Sequence, residues 1–361
     1  DEHRVANRTD FKKIEIGALI AGGGIAGSAL FRYMSDAGLN PVLVNADRGS
    51  SWRNIGGGRT AFSLPELAEI AEHNHAIFKE LQKISNIDYK TTRYINLAHD
   101  ESTFNALDAS RAWSDAFMVD PKNFHKEISP YFSTKSKRYL GALITNDCWQ
   151  ATPGKVVDLI RNMGVSAGGR IVEDCKVLEV MKEGSTYSIL VLTHDKKYVE
   201  FRTEIFVNAL GAGAGKICEG LGIHAGLYPV RHQAFITRRL PMLGKNGDSL
   251  DMLIDRQEYK GFSAVYGQQL LHTGQIIGCA SPRVDALRTD KNLILNTKEF
   301  MEIVSEFFVD WVPELAGVSI QATWSGYYTE PRYIVDPELG LFVGMRGHGF
   351  MLSQYLAKIY V

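Results

Sequence analysis

The sequence predicts an α/β fold in which a β-rich α+β unit is inserted into a unit built from separate segments of the chain. Three observations support this prediction. Residues 14–46 read as strand, glycine turn, helix and strand. Residues 221–324 are rich in strand-like segments, and residues 340–361 repeat the opening order of strand, glycine turn and helix. We therefore expect one domain at 14–75, 150–220 and 325–361, and a second domain at 76–149 and 221–324.

The opening unit is a βαβ motif. The apolar run IEIGALIA at 14–21 predicts a buried strand. Residues 25–37 predict a helix that ends at Gly38, and PVLVNA at 41–46 predicts the second strand. Such a unit places the end of its first strand beside the start of its helix.

Later segments supply further helices and strands. Helices are expected at 65–85 and 153–163, because apolar residues recur there at helical spacing behind a proline. The segments DCKVLEVMKE, YSILVLTHD and YVEFRTEIFVNAL predict three strands joined by short polar turns. Within 221–324, YPVRHQAFITRRL and GFSAVYGQQLLHTGQIIGCA are β-rich, and one amphipathic helix is expected near 296–309.

Composition excludes several classes of function. With 361 residues, the chain is long enough for two domains. Its 40 Lys and Arg against 41 Asp and Glu lack the basic excess of a nucleic-acid-binding protein. The four cysteines form no CxxC pattern, so neither a disulfide framework nor a metal site is indicated, and a reducing, cytoplasmic location is expected. No transmembrane segment is expected, since no apolar stretch approaches the roughly 20 residues that cross a bilayer.

A glycine motif, Gly22-x-Gly24-x-x-Gly27, joins the first predicted strand to the first helix. Gly22 permits a tight turn, Gly24 lets a pyrophosphate approach the backbone, and Gly27 lets helix and strand pack closely. Ile25 and Ala26 open the helix, whose N-terminus carries the positive end of its dipole. The motif predicts a Rossmann-like dinucleotide-binding domain.

The residue expected to bind the adenosine ribose departs from the usual pattern. In such units an acidic residue about 20 positions on accepts hydrogen bonds from the ribose hydroxyls. Asn45 stands in that place here, followed by Ala46 and Asp47. The amide of Asn45 still offers an acceptor and a donor, and the alternative is that Asp47 turns inward and replaces it. On this motif alone, NAD and FAD both fit.

Three further segments decide between the two nucleotides. SSWRNIGGGRTAF at 50–62, VNALGAGAGKI at 207–217 and GLFVGMRGHGFMLS at 340–353 resemble segments of the FAD-dependent D-amino-acid oxidase superfamily. This superfamily includes glycine oxidase, monomeric sarcosine oxidase, D-amino-acid dehydrogenases and the FAD subunit of dye-linked proline dehydrogenase. The resemblance follows their order and spacing over nearly all of residues 14–361. It implies a non-covalent FAD, since no cysteine stands in the segment where sarcosine oxidases attach their flavin.

The resemblance also implies which residues face the cofactor. The segment from Arg53 to Arg59 is expected to wrap the flavin end, and backbone N–H groups at 347–351 are expected to favour the anionic reduced ring. Val177 matches a strand whose backbone contacts adenine in relatives. The full expected FAD-binding set is Gly22, Gly24, Ile25, Ala26, Gly27, Asn45, Ala46, Asp47, Arg53, Gly57, Gly58, Arg59, Val177, Ala209, Gly211, Gly347, His348, Gly349, Phe350 and Met351.

On the substrate side the sequence departs from the superfamily. Glycine oxidases carry an arginine that clamps the substrate carboxylate after a WAG-like stretch. Here WSGYYTEPR puts Tyr328 in that place and Arg332 four residues later, either in the site or in a surface turn. Met351 stands where sarcosine oxidases have lysine. Tyr259 and Tyr266 fall in strands expected to roof the flavin, either near the substrate or in the core.

The implied reaction is transfer of a hydride to FAD from the C–N bond of an amine or amino acid, which gives an imine and needs no essential side-chain base. One alternative is a 2-hydroxy acid or glycerol-phosphate dehydrogenase, for which His348 is the candidate base. His348 also has a purely structural interpretation. A second alternative is a flavin-binding subunit with little activity outside a larger complex. Substrate identity stays open, as does the electron acceptor, which is oxygen, a quinone or a partner protein.

Overall fold

Nineteen β-strands and ten α-helices are defined in a computed structural model that describes residues 11–113, 115–133, 139–282 and 297–361. The strands are β1 Lys12–Glu15, β2 Ala18–Ala21, β3 Pro41–Val44, β4 Gly57–Gly58, β5 Lys90–Ala98, β6 Ala116–Val119, β7 Gly141–Gln150, β8 Arg170–Val172, β9 Lys176–Glu183, β10 Thr186–Leu192, β11 Tyr198–Thr203, β12 Ile205–Asn208, β13 Tyr228–Arg239, β14 Met252–Asp255, β15 Phe262–Gln269, β16 Gln275–Pro282, β17 Ile320–Glu330, β18 Ile334–Asp336 and β19 Leu341–Val343. The helices are α1 Ile25–Asp36, α2 Ser50–Arg53, α3 Pro65–Ile84, α4 Glu101–Ser110, α5 Phe124–Glu127, α6 Pro153–Ser166, α7 Ala214–Gly220, α8 Lys298–Ile303, α9 Val309–Trp311 and α10 Gly349–Tyr360.

A six-stranded sheet has the order β18-β19-β12-β2-β3-β8 among the described strands. β2 pairs in parallel with β3 and β12, and β8 continues the parallel sheet from β3. The carboxyl ends of these strands therefore lie at one edge, where ligands bind in open α/β sheets. Both faces of β2 are buried: Ala18 and Ile20 pack with α1, α3 and α10, whereas Leu19 and Ala21 face a second layer.

This second layer is a four-stranded sheet of order β1-β11-β10-β9. Val180, Ile189 and Phe201 of this sheet form a core with Leu19 and Val44 of the six-stranded sheet. The parallel sheet thus has helices on one face and a second sheet on the other.

The largest sheet contains nine described strands, in the order β17-β13-β16-β15-β14-β5-β7-β4 with β6 beside β7. One face packs on the helical segment 298–311, in which a π-turn at Val304–Phe308 links α8 to α9. The other face carries Tyr94, Met252 and Cys279. This second face forms a wall of the candidate site.

The predicted α/β class, with a Rossmann-like unit and a β-rich second unit, is confirmed. Two predicted strands are longer than the observed ones, because the chain changes sheet within each of them. The run 14–21 divides into β1 and β2, and the run 198–210 divides into β11 and β12. β1 pairs with β11 and β2 pairs with β12, so both crossings lie side by side. There the Thr203 hydroxyl donates to the Gly17 carbonyl at 3.0 Å.

The helix expected near 296–309 is the segment 298–311, and residue 296 lies outside the described residues. The predicted domain limit between 324 and 325 falls inside β17, and the division into two domains stays a prediction.

Every helix in the described ranges is too short or too polar to cross a membrane. The same ranges contain no group of three or more His, Cys, Asp or Glu side chains arranged to hold a metal ion. All four cysteines lie in described segments and are buried, free thiols.

Candidate active site

The turn between β2 and α1 brings two backbone segments into close contact. Gly22 has a φ of 103° and its N–H donates to the Val44 carbonyl. A Cβ on Gly27 would lie 1.8 Å from the Gly22 carbonyl oxygen, so only glycine fits there. Gly24 is the N-cap of α1 and supplies no side-chain cap, while the Ile25 N–H donates to Ser51 Oγ at 2.7 Å. The first turn of α1, with Ala26, thus directs N–H groups at a position suited to an anion.

Asn45 ends the second strand of this unit and is only 7% exposed. Its Oδ1 accepts the Gly23 N–H at 3.2 Å, and its Nδ2 donates to Glu173 Oε2 at 2.7 Å. Ala46 and Asp47, which follow, are exposed. Of these three residues, it is therefore Asn45 whose side chain contacts the glycine turn.

A cavity of about 230 Å³ lies between this nucleotide-binding unit and the largest sheet. Its walls come from the segment 53–59, the turn before α10 and strands β13 to β17. Helix α2 connects the cavity to the glycine turn, since Ser51 contacts the turn while Ser50 and Arg53 line the cavity. The two places are therefore parts of one continuous site.

Three of the aromatic side chains on the wall contributed by the large sheet contact one another. The hydroxyls of Tyr266 and Tyr328 are hydrogen-bonded at 2.8 Å, and the His232 ring stacks on Tyr328 with centroids 3.5 Å apart. Burial raises the pKa of both tyrosines and of the neighbouring Cys279 thiol, the last to about 12. Burial lowers the pKa of His232 to about 3. All four groups are therefore uncharged near neutral pH.

Gly347 allows Tyr328 to approach the turn before α10. Its φ is 77°, and a Cβ there would lie 2.1 Å from the Tyr328 ring. The next residue, His348, has Nδ1 at 2.5 Å from the Tyr333 hydroxyl and an edge-on contact with Phe62. Burial lowers the pKa of His348 to about 3, and the positive charges of Arg59 and Arg346 act in the same direction. The imidazole is neutral, so it offers no positive charge.

Three arginines line the cavity, and Arg59 and Arg256 are the two whose charges act on each other. Arg59 and Arg256 line the first cavity, and both also line an adjacent cavity of about 390 Å³. Arg256 Nη1 donates to Asn96 Oδ1 at 2.8 Å, and Arg59 lies over the Phe62 ring. Arg256 keeps surface open to the cleft, yet the protein atoms around it and the charge of Arg59 lower its pKa to about 10. Within the described part of the chain, neither guanidinium forms an ion pair with a carboxylate.

The structure brings many of the sequence-predicted residues together. The cavity wall contains Arg53, Gly57, Arg59, Tyr266, Tyr328, Gly347, His348, Phe350 and Met351. Gly58 follows Gly57 in β4, and Gly349 begins α10. Near the glycine turn, the carbonyl of Ala209 contacts Gly22 and Gly211 follows β12, while Val177 lies buried in β9.

Two predicted catalytic candidates lie outside the cavity wall. Arg332 is exposed and its Nη2 donates to the Ala225 carbonyl at 3.0 Å. Tyr259 is partly buried and packs edge-on against Phe307, which belongs to the core of the second unit. Neither side chain is therefore placed to touch a substrate bound in this cavity.

Sequence reasoning missed Arg256 and His232. Arg256 directly follows the buried strand β14, and a charged residue at the end of an apolar strand was the available signal. His232 lies inside the β-rich run YPVRHQAFITRRL, which predicts only a strand at this position. Neither residue shows from the sequence alone that it faces the same cavity as the C-terminal turn.

The fold and this site define a flavin-type dinucleotide-binding oxidoreductase. The chain belongs to the FAD dependent oxidoreductase (DAO) family, whose model matches residues 18–361. It is an FAD-dependent oxidoreductase, and the predicted superfamily is confirmed.

Individual relatives are more distant. A curated relative, anaerobic glycerol-3-phosphate dehydrogenase subunit A1 of Haloferax volcanii, is 26% identical over 240 residues, which are 58% of this chain and 39% of that protein. The chain thus spans less than half the length of this relative. L-proline dehydrogenase from P. horikoshii is similar in structure, with a TM-score of 0.76 and 23% identity over 96% of this chain and 92% of that chain. Glycine oxidase from Geobacillus kaustophilus has a TM-score of 0.79 and 18% identity over 95% and 92%.

The residues present fit FAD. The glycine turn and the start of α1 suit its pyrophosphate, and a mostly apolar cavity beside them suits its ring system. The N-terminus of α10 also lacks a side-chain cap. The Met351 N–H donates to the His348 carbonyl, which leaves the N–H groups of Gly349 and Phe350 for a ring carbonyl at the cavity. No cysteine lies among 340–361, and Cys279 on the opposite wall is a protonated thiol. These features agree with a dissociable cofactor.

Proposed function

We propose that this protein oxidises the C–N bond of an amine or amino acid that carries an anionic group, with Arg59 and Arg256 binding that group. The observation that carries the proposal is the pair of guanidinium groups on the cavity wall, which have no carboxylate partner among the residues described. Two like charges side by side are unfavourable until an anion joins them. A carboxylate matches the paired donors of a guanidinium.

FAD supplies the hydride acceptor for the carbon that bears the nitrogen. The residues of this chain bind, orient and shield the substrate. Arg256 is itself oriented by Asn96, and the tyrosine wall excludes water from the opposite side. His348 is neutral and both wall tyrosines keep their protons, so no charged base faces the cavity from this wall. The substrate nitrogen is therefore expected to react in its neutral form.

The chemistry named for two structural neighbours, an L-proline dehydrogenase and a glycine oxidase, supports an amino acid as substrate. It agrees with a carboxylate as the anion bound by the arginine pair. The electron acceptor and the cytoplasmic location stay predictions, which assays with oxygen or a dye and cell fractionation would test.

A second candidate is oxidation of a C–O bond in a phosphorylated or carboxylated alcohol. The curated relative named for glycerol-3-phosphate favours it, because guanidinium groups bind phosphate as well as carboxylate. This reaction needs a base for the hydroxyl proton, and His348 is the group in position. Because its pKa is about 3, His348 is deprotonated above neutrality in either case, so the variant decides: an unchanged rate with glycerol 3-phosphate in His348→Ala would count against this candidate.

The decisive experiment is anaerobic addition of substrates to the purified flavoprotein, with loss of the flavin absorption bands as the signal. The panel contains L- and D-amino acids, an N-methyl amino acid, an amine without a carboxylate and glycerol 3-phosphate. Bleaching by an amino acid but not by the matching amine supports the proposal. Bleaching by glycerol 3-phosphate alone would replace it with the second candidate, and a flavoprotein that no compound bleaches would indicate a subunit of a larger complex.

The arginine pair is tested separately. Arg256→Gln should raise KM for the bleaching substrate by about 10- to 100-fold, the loss expected for a charge-assisted hydrogen bond. Arg256→Lys should keep part of the affinity, because the charge remains while the forked donors do not. Arg239→Gln is the matched control, since this arginine lies exposed at the far end of β13. Equal KM values for Arg256→Gln and the control would remove the arginine from the substrate site.

A further inference from the structure

The adenosine side of the cofactor site holds a carboxylate that does not come from the usual strand. Asn45 replaces the expected acid at the end of β3, and Asp47 is exposed. Glu173 directly follows β8, the parallel neighbour of β3, with Val44 and Val172 in register. The carboxyl ends of both strands therefore lie side by side, and the carboxylate of Glu173 reaches the Asn45 amide at 2.7 Å.

This carboxylate is fixed in place from two sides. Asn45 Nδ2 donates to Oε2 of Glu173, while Arg161 Nη1 donates to its Oε1 at 2.6 Å. Arg161 is buried and also binds the Gly23 carbonyl and the Ser28 hydroxyl. Burial lowers the pKa of Arg161, and the Glu173 carboxylate counteracts this shift. Glu173 is thus tied to the glycine turn through Asn45 and Arg161.

The Glu173 carboxylate also remains open to a ligand. Its side chain is 48% exposed, whereas Arg161 is 9% exposed. Each carboxylate oxygen has two acceptor positions, so one hydrogen bond to each leaves capacity for another donor. The Asn45 amide has its oxygen bound to Gly23 and its nitrogen bound to Glu173. Glu173 is therefore the carboxylate at this edge that is both held against the glycine turn and open to a further donor.

We propose that Glu173 is the anionic acceptor for the ribose hydroxyls of FAD, with Asn45 and Arg161 as the residues that position it. Other dinucleotide-binding units have this carboxylate at the end of the second strand. In this protein the carboxylate is that of Glu173, at the end of the neighbouring strand β8. Asn45 is neutral because a second carboxylate beside Glu173 would repel it. The inference depends on FAD binding and is independent of the substrate proposed above.

The test is binding of FAD to the apoprotein, followed by flavin fluorescence and paired with an FAD analogue whose adenosine lacks both ribose hydroxyls. Glu173→Gln should weaken FAD binding about tenfold, because a charge-assisted hydrogen bond is lost. The same variant and the wild type should bind the dideoxy analogue equally. A purely structural role for Glu173 predicts instead the same loss for both ligands, and that result, or no loss at all, would overturn the inference.

Two further variants sharpen the test. Asp47→Asn is the matched control, since it removes the exposed acid that the sequence left as the alternative, and it should not change affinity. Asn45→Asp combined with Glu173→Gln moves the charge back to the second strand while keeping a carboxylate and an amide side by side. This double variant should regain FAD affinity over Glu173→Gln, with no such gain for the dideoxy analogue. If Glu173→Gln does not fold, Glu173→Asp keeps the ion pair, and its loss should again be confined to FAD.

Discussion

His232 is buried in the cavity wall, where its ring stacks on Tyr328. This burial should make the stability of the folded protein depend on pH in the acid range. Its pKa is about 3 in the folded protein against an ordinary value of 6.5. Below pH 6.5 the unfolded chain binds a proton that the folded protein does not, so stability falls as the pH drops from 6.5 toward 3. Between pH 7 and pH 5 this one residue should cost about 2 kcal/mol of unfolding free energy.

The variant His232→Gln should therefore lose about 2 kcal/mol less stability than the wild type between pH 7 and pH 5. Chemical denaturation at both pH values measures the difference. His73→Gln serves as control, since this ring stacks on Tyr355 away from the cavity. Parallel losses in His232→Gln and the wild type would contradict the assignment of a buried, neutral imidazole.

The hydrogen bond between the hydroxyls of Tyr266 and Tyr328 couples these two residues. Removing one hydroxyl leaves its buried partner with one hydrogen bond fewer, so Tyr266→Phe and Tyr328→Phe should each destabilise the fold by about 1–2 kcal/mol. The double variant should lose less than the sum, by about 1 kcal/mol. Additive losses in a denaturation cycle would show that the two hydroxyls are not coupled.

Individual residues show where sequence reasoning works and where it stops. Tyr328 and His348 were expected in the site because each lies next to a recognisable segment, and both line the cavity. Arg256 was missed because its position depends on how β14 pairs with β5, which lies about 160 positions earlier in the chain. The partner of Arg256, Asn96, cannot be identified until the pairing of β14 with β5 is known.

At the scale of elements, the turn between β2 and α1 is the part of the site most tightly specified by sequence. Gly27→Ala should lower the free energy of unfolding by about 1–3 kcal/mol, because the added Cβ meets the Gly22 carbonyl. FAD affinity should fall as well, since helix and strand must move apart. Gly49→Ala is the matched control, because a Cβ there meets no atom within 4 Å and φ is −70°. If both variants behaved alike under denaturation and FAD titration, close packing would not explain Gly27.

The sequence predicted the type of each helix and strand more accurately than the residue at which it ends. The helix over 65–85 ends at 84 in the structure and the helix over 25–37 ends at 36, because local signals such as Pro65 and Gly38 act within one turn. The runs 14–21 and 198–210 were each taken as one strand, since apolar periodicity does not register a change of sheet. That change depends on two distant segments crossing together at Thr203 and Gly17.

At the scale of the whole molecule, the site lies where two sheets meet. The glycine turn belongs to the six-stranded sheet, and the opposite cavity wall belongs to the nine-stranded sheet. A ligand that reaches both places connects the two units, so it should stabilise both against unfolding. The sequence indicated this arrangement only through the order of its segments, because neither unit is continuous in the chain.

FAD should therefore stabilise the protein more than a mixture of the two separate halves of the FAD molecule does. At a concentration about 100 times its Kd, FAD should add about 2.7 kcal/mol, which corresponds to a rise in Tm of about 4 °C for a chain of this length. A mixture of ADP and riboflavin at the same concentration should give a smaller rise, because linking the halves gives the second an effective concentration that free riboflavin lacks. Gly27→Ala should reduce the response to ADP but leave the response to riboflavin, since it alters only the glycine turn. Differential scanning fluorimetry of the apoprotein measures all of these shifts, and equal rises with FAD and with the mixture would show that the ligand does not connect the two units.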